Sequence, residues 1–83
     1  INSTKSMTGH LLGAAGVIES IAALGTIIHG VVPPTINHFT DDEQIDSRLN
    51  FTFNKAVQRD VKVAMSNTFG FGGHNACVLF KKI

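Results

Sequence analysis

Three side chains near the start of the sequence have types and spacing that could do chemistry. Lys5 and His10 precede a long apolar stretch, and Glu19 is the only charged residue inside it. A carboxylate in apolar surroundings needs a counter-charge, hydrogen bonds or a metal ion, and Lys5 is the nearest lysine or arginine in the sequence. The spacing therefore points to a Lys5–Glu19 pair, although a glutamate facing solvent fits the same pattern.

His10 stands where the sequence predicts the N-terminal end of a helix. The helix dipole disfavours the imidazolium form there. A neutral imidazole can donate one N–H to an oxygen that becomes negative during a reaction. Considered alone, a capping histidine or a packed core histidine is the more common explanation of such a residue.

The second candidate segment is the glycine-rich SNTFGFGGHN, residues 66–75. Glycines let a backbone approach a ligand closely, and the N–H groups of such a turn can face an oxyanion, as in acyl-transfer sites. A phosphate loop is disfavoured because the G-x-G-x-x-G spacing is absent and a strand pattern follows. The alternative is a plain hairpin with both phenylalanines in the core. Cys77 is expected to be a small buried thiol rather than a nucleophile.

The elements that would position these residues are one helix and a few strands. The pattern predicts a helix from Leu11 to about His29, with Thr8 or the Gly9–His10 region at its cap. The apolar residues surround this helix, which indicates that it is covered on every side. Strand patterns at 61–65 and 76–81, joined by the glycine-rich segment, predict an antiparallel pair, while 38–49 is predicted to be a surface loop or a short helical turn.

Composition excludes several classes of function. The formal charge is +1 and the seven Lys and Arg residues are scattered, so no basic stripe suits a nucleic acid. The single cysteine permits no internal disulfide and fits a reducing compartment. The 18-residue apolar run reaches the lower limit for a membrane span, but Glu19 and three glycines interrupt it, which favours a core helix. So few elements cannot cover such a helix, and we expect the chain to be part of a larger fold.

Two segments of the sequence, STKSMTGHLLGAAG (3–16) and SNTFGFGGHNA (66–76), resemble signature stretches of the β-ketoacyl-acyl carrier protein synthases. Within that family the chain is most similar to the elongating synthases, to type II more than to type I. The resemblance implies the α/β, thiolase-like layered α/β/α/β/α fold. Residues 1–83 would be the C-terminal portion of its second thiolase-like domain, a buried helix plus antiparallel strands.

The resemblance also implies a decarboxylative Claisen condensation of an acyl-enzyme with malonyl-acyl carrier protein in fatty-acid synthesis. His10 matches the second active-site histidine, which polarises the malonyl thioester carbonyl. Lys5 matches the active-site lysine and Glu19 the glutamate that pairs with it. Phe69 and Phe71 match the gate between the acyl and malonyl pockets, and the Phe71 N–H matches an oxyanion-hole donor.

The same match assigns Glu19, Ser66 and Asn67 to a structural monovalent cation, with no organic cofactor expected. The implied partners are the acyl carrier protein, the remainder of the synthase and a second subunit in a cytoplasmic homodimer. The nucleophilic cysteine and the first histidine have no match here, so we expect the isolated chain to be inactive. His74 stands where the GGTN form of the motif has threonine. The alternatives are a polyketide ketosynthase segment and a small binding domain without catalysis.

Overall fold

The computed structural model describes residues 1–83 as two helices followed by two small antiparallel sheets. Helix α1 (Lys5–Thr8) is a single turn, and helix α2 (Ala15–His29) is the long apolar helix. Strands β1 (Val31–Val32) and β2 (Val57–Gln58) form the first sheet. Strands β3 (Val63–Gly70) and β4 (His74–Lys81) form the second. The long helix packs chiefly on β3.

Helix α2 starts later than the sequence pattern predicts. Gly9 adopts φ 76° and ψ 174°, a combination that is accessible in practice only to glycine, and this conformation ends helix α1. A 3-10 turn at Leu12–Ala14 follows, and Ala14 occupies the N-cap of α2 without a side-chain hydrogen bond. The predicted cap at Thr8 or Gly9–His10 is therefore wrong. The predicted end is right, since Gly30 closes α2 in the left-handed conformation with φ 65°.

The hairpin of β3 and β4 is longer than predicted. The predicted strands stopped at Met65 and began again at Ala76, whereas the ladder continues to the Gly70–His74 pair. The residues assigned to a glycine-rich loop are thus mostly strand, and the turn is only residues 71–73. The ladder consists of backbone hydrogen bonds, which Ser, Asn and Thr form as apolar residues do. The sequence pattern did not predict strand at these positions because it relies on apolar side chains.

The segment between α2 and the hairpin is held by backbone pairing and by side-chain hydrogen bonds, among them those of one asparagine. Val31 and Val32 pair with β2, a strand that the sequence did not indicate, and Thr35 bridges to Phe53. The Asn54 side chain accepts from the His38 N–H at 3.1 Å and donates to the His38 carbonyl at 2.8 Å. The Asn54 amide therefore links the first residue of the predicted surface loop to the segment that follows the loop.

The chain buries little of itself. Only five of its 83 residues are buried, with Ala15 and Ile27 as the hydrophobic ones. On α2, Val17, Ile21 and Ile28 are between 58% and 72% exposed, so the helix is covered on one face instead of all round. A core this small cannot offset the conformational entropy of ordering 83 residues. The uncovered apolar surface indicates that further polypeptide packs here.

The stretch Leu12–His29 meets the length and composition of a membrane-spanning helix, with 17% of it buried. Its middle contains the carboxylate of Glu19, which is ion-paired, and its inner face packs on strand β3. Both features are those of a helix inside a folded protein.

Candidate functional site

Lys5 and Glu19 form an ion pair that joins the two helices. The Lys5 ammonium donates to Oε1 of Glu19, and the glutamate side chain is 15% exposed against 37% for the lysine. The contact requires the chain to reverse between α1 and α2, which the breaks at Gly9 and Leu12 allow. A half-buried carboxylate is stabilised when a cation lies beside it, so the pair fixes the start of the chain against the middle of α2.

His10 presents one defined nitrogen. Its Nδ1 accepts a hydrogen bond from the Leu12 backbone N–H at 2.9 Å. A neutral ring that accepts at Nδ1 carries its proton on Nε2. The side chain is exposed, so Nε2–H is free to donate. The 3-10 turn separates His10 from the first residue of α2, and the effect of a helix dipole falls off within one turn, so the hydrogen bond from Leu12 orients the ring.

Gly16 brings α2 close to the glycine-rich motif. A β-carbon built on Gly16 would lie 3.6 Å from Oγ1 of Thr68, an ordinary van der Waals contact. Thr68 therefore directs its side chain toward the helix. Because side chains alternate along a strand, Ser66 shares that face and Asn67 does not. The two signature segments of the sequence thus meet at a glycine on one and a threonine on the other.

An open cavity of about 880 Å³ lies between the start of the chain, α2 and β3. Its lining includes five of the predicted site residues, namely Lys5, Glu19, Ser66, Asn67 and Phe69. His10 and Phe71 do not line it. The predicted residues therefore divide into a cluster at the Lys5–Glu19 pair and two residues that lie outside it.

The predicted cation ligands share this cavity but do not all direct side chains into it. Glu19 uses Oε1 for Lys5, and Ser66 faces the helix that carries Glu19. Asn67 lies on the other face of β3, so its side-chain amide is directed away from Ser66. Carboxylate, hydroxyl and carbonyl oxygens suit a hard cation. No three His, Cys, Asp or Glu side chains converge anywhere in the chain as a metal-binding group.

The turn at residues 71–73 displays its aromatic side chain instead of burying it. Phe71 is fully exposed, and Phe69 is 78% exposed. The alternative of a plain hairpin with both phenylalanines in its core is therefore wrong for this chain. Gly72 and Gly73 both have φ 84°, which L-residues rarely adopt.

Two further residues differ from the sequence-based expectation. Cys77 is exposed on β4 opposite Asn67, not buried, because nothing in this chain covers that face of the hairpin. His38 received no role from the sequence. Its ring stacks on Phe53 with centroids 3.7 Å apart, and its Nε2 lies 2.7 Å from Asp41. No pattern in the sequence signalled this pair.

The comparisons with known proteins agree on one family. The family model "Beta-ketoacyl synthase, C-terminal domain" matches residues 1–39. The chain is 51% identical over 80 residues to the chloroplastic 3-oxoacyl-(acyl-carrier-protein) synthase I of Hordeum vulgare, covering 96% of this chain and 17% of that protein. It is 51% identical over 82 residues to 3-oxoacyl-(acyl-carrier-protein) synthase 2 of Staphylococcus aureus, covering 99% of this chain and 19% of that one.

Solved structures give the same result for the fold. A type II polyketide ketosynthase, in complex with its acyl carrier protein, superposes with a TM-score of 0.90 and 37% identity over 100% of this chain and 20% of that one. The ishigamide ketosynthase/chain length factor superposes with a TM-score of 0.77 and 37% identity over 86% of this chain and 17% of its own. The fold is therefore that of the corresponding part of a ketosynthase. The chain spans a fifth or less of the length of these relatives.

Proposed function

Because this chain belongs to the β-ketoacyl synthase family, as a segment of its C-terminal part, we propose that it supplies one wall of the active site of a fatty-acid elongating 3-oxoacyl-acyl carrier protein synthase. The parent protein would be an acyltransferase that lengthens an acyl chain by two carbons. Identity of about half to fatty-acid synthases, against 37% to the polyketide ketosynthases, supports the fatty-acid assignment.

The observation that carries this proposal is the orientation of His10. The reaction needs a hydrogen-bond donor for the carbonyl oxygen of malonyl-acyl carrier protein, on which negative charge develops as carbon dioxide leaves. The Leu12 N–H occupies Nδ1, and Nε2–H is left to donate. A donor already in position supports catalysis because it needs no reorganisation when the charge appears.

The condensation proceeds in two steps. A cysteine thiolate on the remainder of the protein attacks the acyl-carrier thioester, forming the acyl-enzyme and releasing the carrier thiol. The C–C bond of the malonyl group then breaks to give carbon dioxide and an enolate, which attacks the acyl-enzyme carbonyl and expels the cysteine thiolate. His10 would donate to the enolate oxygen, and the N–H of Phe71 to the oxyanion formed at the acyl carbonyl.

Lys5 and Glu19 would act on the electrostatics of the same site. Their pairing holds the ammonium at the cavity beside β3, where it favours negatively charged species. A structural monovalent cation bound by Glu19, Ser66 and Asn67 would link β3 to α2. These residues fit such a cation through their oxygen atoms, and its contribution would be to hold two elements together.

The proposed partners follow from the same assignment. Acyl and malonyl carrier proteins would deliver the substrates, and a type II ketosynthase of similar fold has been solved in complex with its acyl carrier protein. The uncovered faces of α2 and β3 would pack against the remainder of the synthase. A cytoplasmic homodimer is proposed on family grounds alone.

The test uses the full-length protein that contains this segment. Purified protein is mixed with acyl- and malonyl-acyl carrier protein, and both carbon dioxide release and the elongated product are followed. Elongation by the full-length protein, lost when the segment is deleted, is the expected result. Absence of both activities in a folded full-length protein would reject the assignment.

The segment alone provides the matched comparison. We expect the 83-residue polypeptide to show neither decarboxylation nor elongation, because its single cysteine, Cys77, does not match the nucleophile required for the acyl-enzyme. Turnover by the isolated segment would show that the proposed division of the site is wrong. The non-catalytic alternative predicts a soluble monomer that melts cooperatively, which sizing and thermal unfolding of the same sample would detect.

A polyketide ketosynthase is the second candidate, because both superposed structures come from polyketide systems. It uses the same residues and the same condensation. Product length and reduction state distinguish the two, since a polyketide system extends 3-oxoacyl chains that a fatty-acid system first reduces. Preference for a saturated acyl primer over a 3-oxoacyl primer is the expected result.

A further inference from the structure

His74 directly follows the turn, and no role was predicted for it from the sequence. It pairs with Gly70 as the last rung of the β3–β4 ladder, so it stands where the three-residue turn re-enters the sheet. Its ring extends back over the turn. A β-carbon built on Gly72 would lie 3.6 Å from Cδ2 and 3.7 Å from Nε2 of His74.

His74 also limits the other end of the turn. A β-carbon at Gly70 would lie 3.2 Å from the His74 carbonyl oxygen and 3.5 Å from its Cβ. The residues on both sides of Phe71 therefore lie close to His74. Gly70 approaches the main chain and Cβ of His74, and Gly72 approaches its ring.

Phe71 has no support from its own surroundings in this chain. Its side chain is fully exposed, so the orientation of its ring and of its N–H depends on the backbone of the turn. Glycines on both sides make that backbone intrinsically permissive, since glycine populates both signs of φ. A contact that restricts the dihedral angles of these glycines therefore reduces the range of orientations available to Phe71.

We propose that His74 is a positioning residue: its imidazole packs over Gly72 and restricts the turn that presents Phe71. The inference rests on the proposed function for the role of Phe71, but the packing is independent of it. A threonine at position 74 would be too short to cover Gly72 and would leave the turn freer. His74 thus determines how strongly the turn that carries Phe71 is restrained. No proton transfer is assigned to its ring.

The test is a double-mutant cycle in the full-length protein, with His74→Ala, Phe71→Ala and the double variant. We expect His74→Ala to lower kcat/KM for acyl transfer about three- to tenfold through looser positioning. The double variant should be no slower than Phe71→Ala alone, because His74 acts through Phe71. Multiplicative effects, or an unchanged rate for His74→Ala, would overturn the inference.

Two further variants separate packing from proton chemistry. His74→Phe keeps a flat ring over Gly72 and should retain the rate, while His74→Thr should behave like His74→Ala. His29→Ala, at the exposed end of α2, is the matched control and should leave the rate unchanged. Loss of activity in His74→Phe equal to that in His74→Ala would contradict a packing role.

Amide hydrogen exchange of residues 69–75 gives a readout that does not require activity. Faster exchange at Phe71–Gly73 in His74→Ala, with melting temperature unchanged, is the expected result. If the full-length protein catalyses no condensation, the proposed function fails while this measurement still decides whether His74 restrains the turn. Identical exchange in the wild type and His74→Ala would reject the restraint even in an active enzyme.

Discussion

The Leu12 N–H donates to Nδ1 of His10 at 2.9 Å, and Leu12 adopts φ 52°. Leucine rarely enters the left-handed region, and such a conformation costs about 1–3 kcal/mol. Leu12 is 79% exposed, so packing within this chain does not offset that cost. The strained residue, Leu12, is also the one whose N–H fixes the tautomer of His10. The backbone between the two helices thus orients a side chain for hydrogen bonding through Nε2.

The first prediction concerns the proton on His10. In the full-length protein, His10→Ala should lower malonyl-acyl carrier protein decarboxylation about 10²- to 10³-fold, the usual effect of losing one oxyanion donor. His10→Gln keeps an N–H near the Nε2 position and should retain part of the rate. Carbon dioxide release measures both variants. Equal loss in both would show that the donated hydrogen bond is not the essential feature.

The second prediction concerns the Lys5–Glu19 pair. Lys5→Met leaves a carboxylate that is only 15% exposed without its cation, and should lower the free energy of unfolding by about 1–2 kcal/mol, a value reduced for the partial exposure of Lys5. Lys5→Met combined with Glu19→Gln should recover part of that loss. Denaturant unfolding of the full-length protein measures the cycle. Simple additivity of the two changes would indicate that the pair contributes no coupling energy.

The third prediction uses two glycines of α2 as a matched pair. Nothing lies within 4 Å of a β-carbon at Gly25, so Gly25→Ala should raise the stability of this element by about 0.5–1 kcal/mol through helix propensity. Gly16→Ala meets Thr68 at ordinary contact distance and should be tolerated. Gly16→Leu should separate α2 from β3 and lower the melting temperature. A Gly16→Leu protein as stable as wild type would show that the close approach is unnecessary.

The fourth prediction concerns pH and the surface loop. The Arg48 side chain, and after it the Arg48 backbone N–H, lowers the pKa of Asp46 below its usual value. A lowered folded-state pKa stabilises the loop above the unfolded pKa, and this contribution is lost as pH falls through the folded value. Arg48→Ala should raise the pKa of Asp46 part of the way back, because the backbone hydrogen bond stays. NMR titration of the carboxyl carbon measures the shift, with Lys55→Ala as the control that should leave it unchanged.

The sequence predicted the long helix, its end at Gly30 and the antiparallel hairpin, because these depend on local signals. Apolar composition over fifteen or more residues and a glycine stop are visible in the chain itself. The start of α2 escaped prediction because it depends on the unusual dihedral angles of Gly9 and Leu12. Strand β2 escaped prediction because two residues in a polar segment give no periodic pattern.

The sequence by itself predicted which side chains would carry the chemistry. A lone carboxylate in an apolar helix requires a partner, and the motif residues Lys5, His10 and Phe71 are recognisable from their order along the chain. Only the tertiary structure decided that Lys5 reaches Glu19, that His10 exposes Nε2–H, and that His74 covers Gly72. The reason is physical: residue type is a local property, whereas distance, tautomer and face depend on backbone turns and on contacts between segments far apart in sequence.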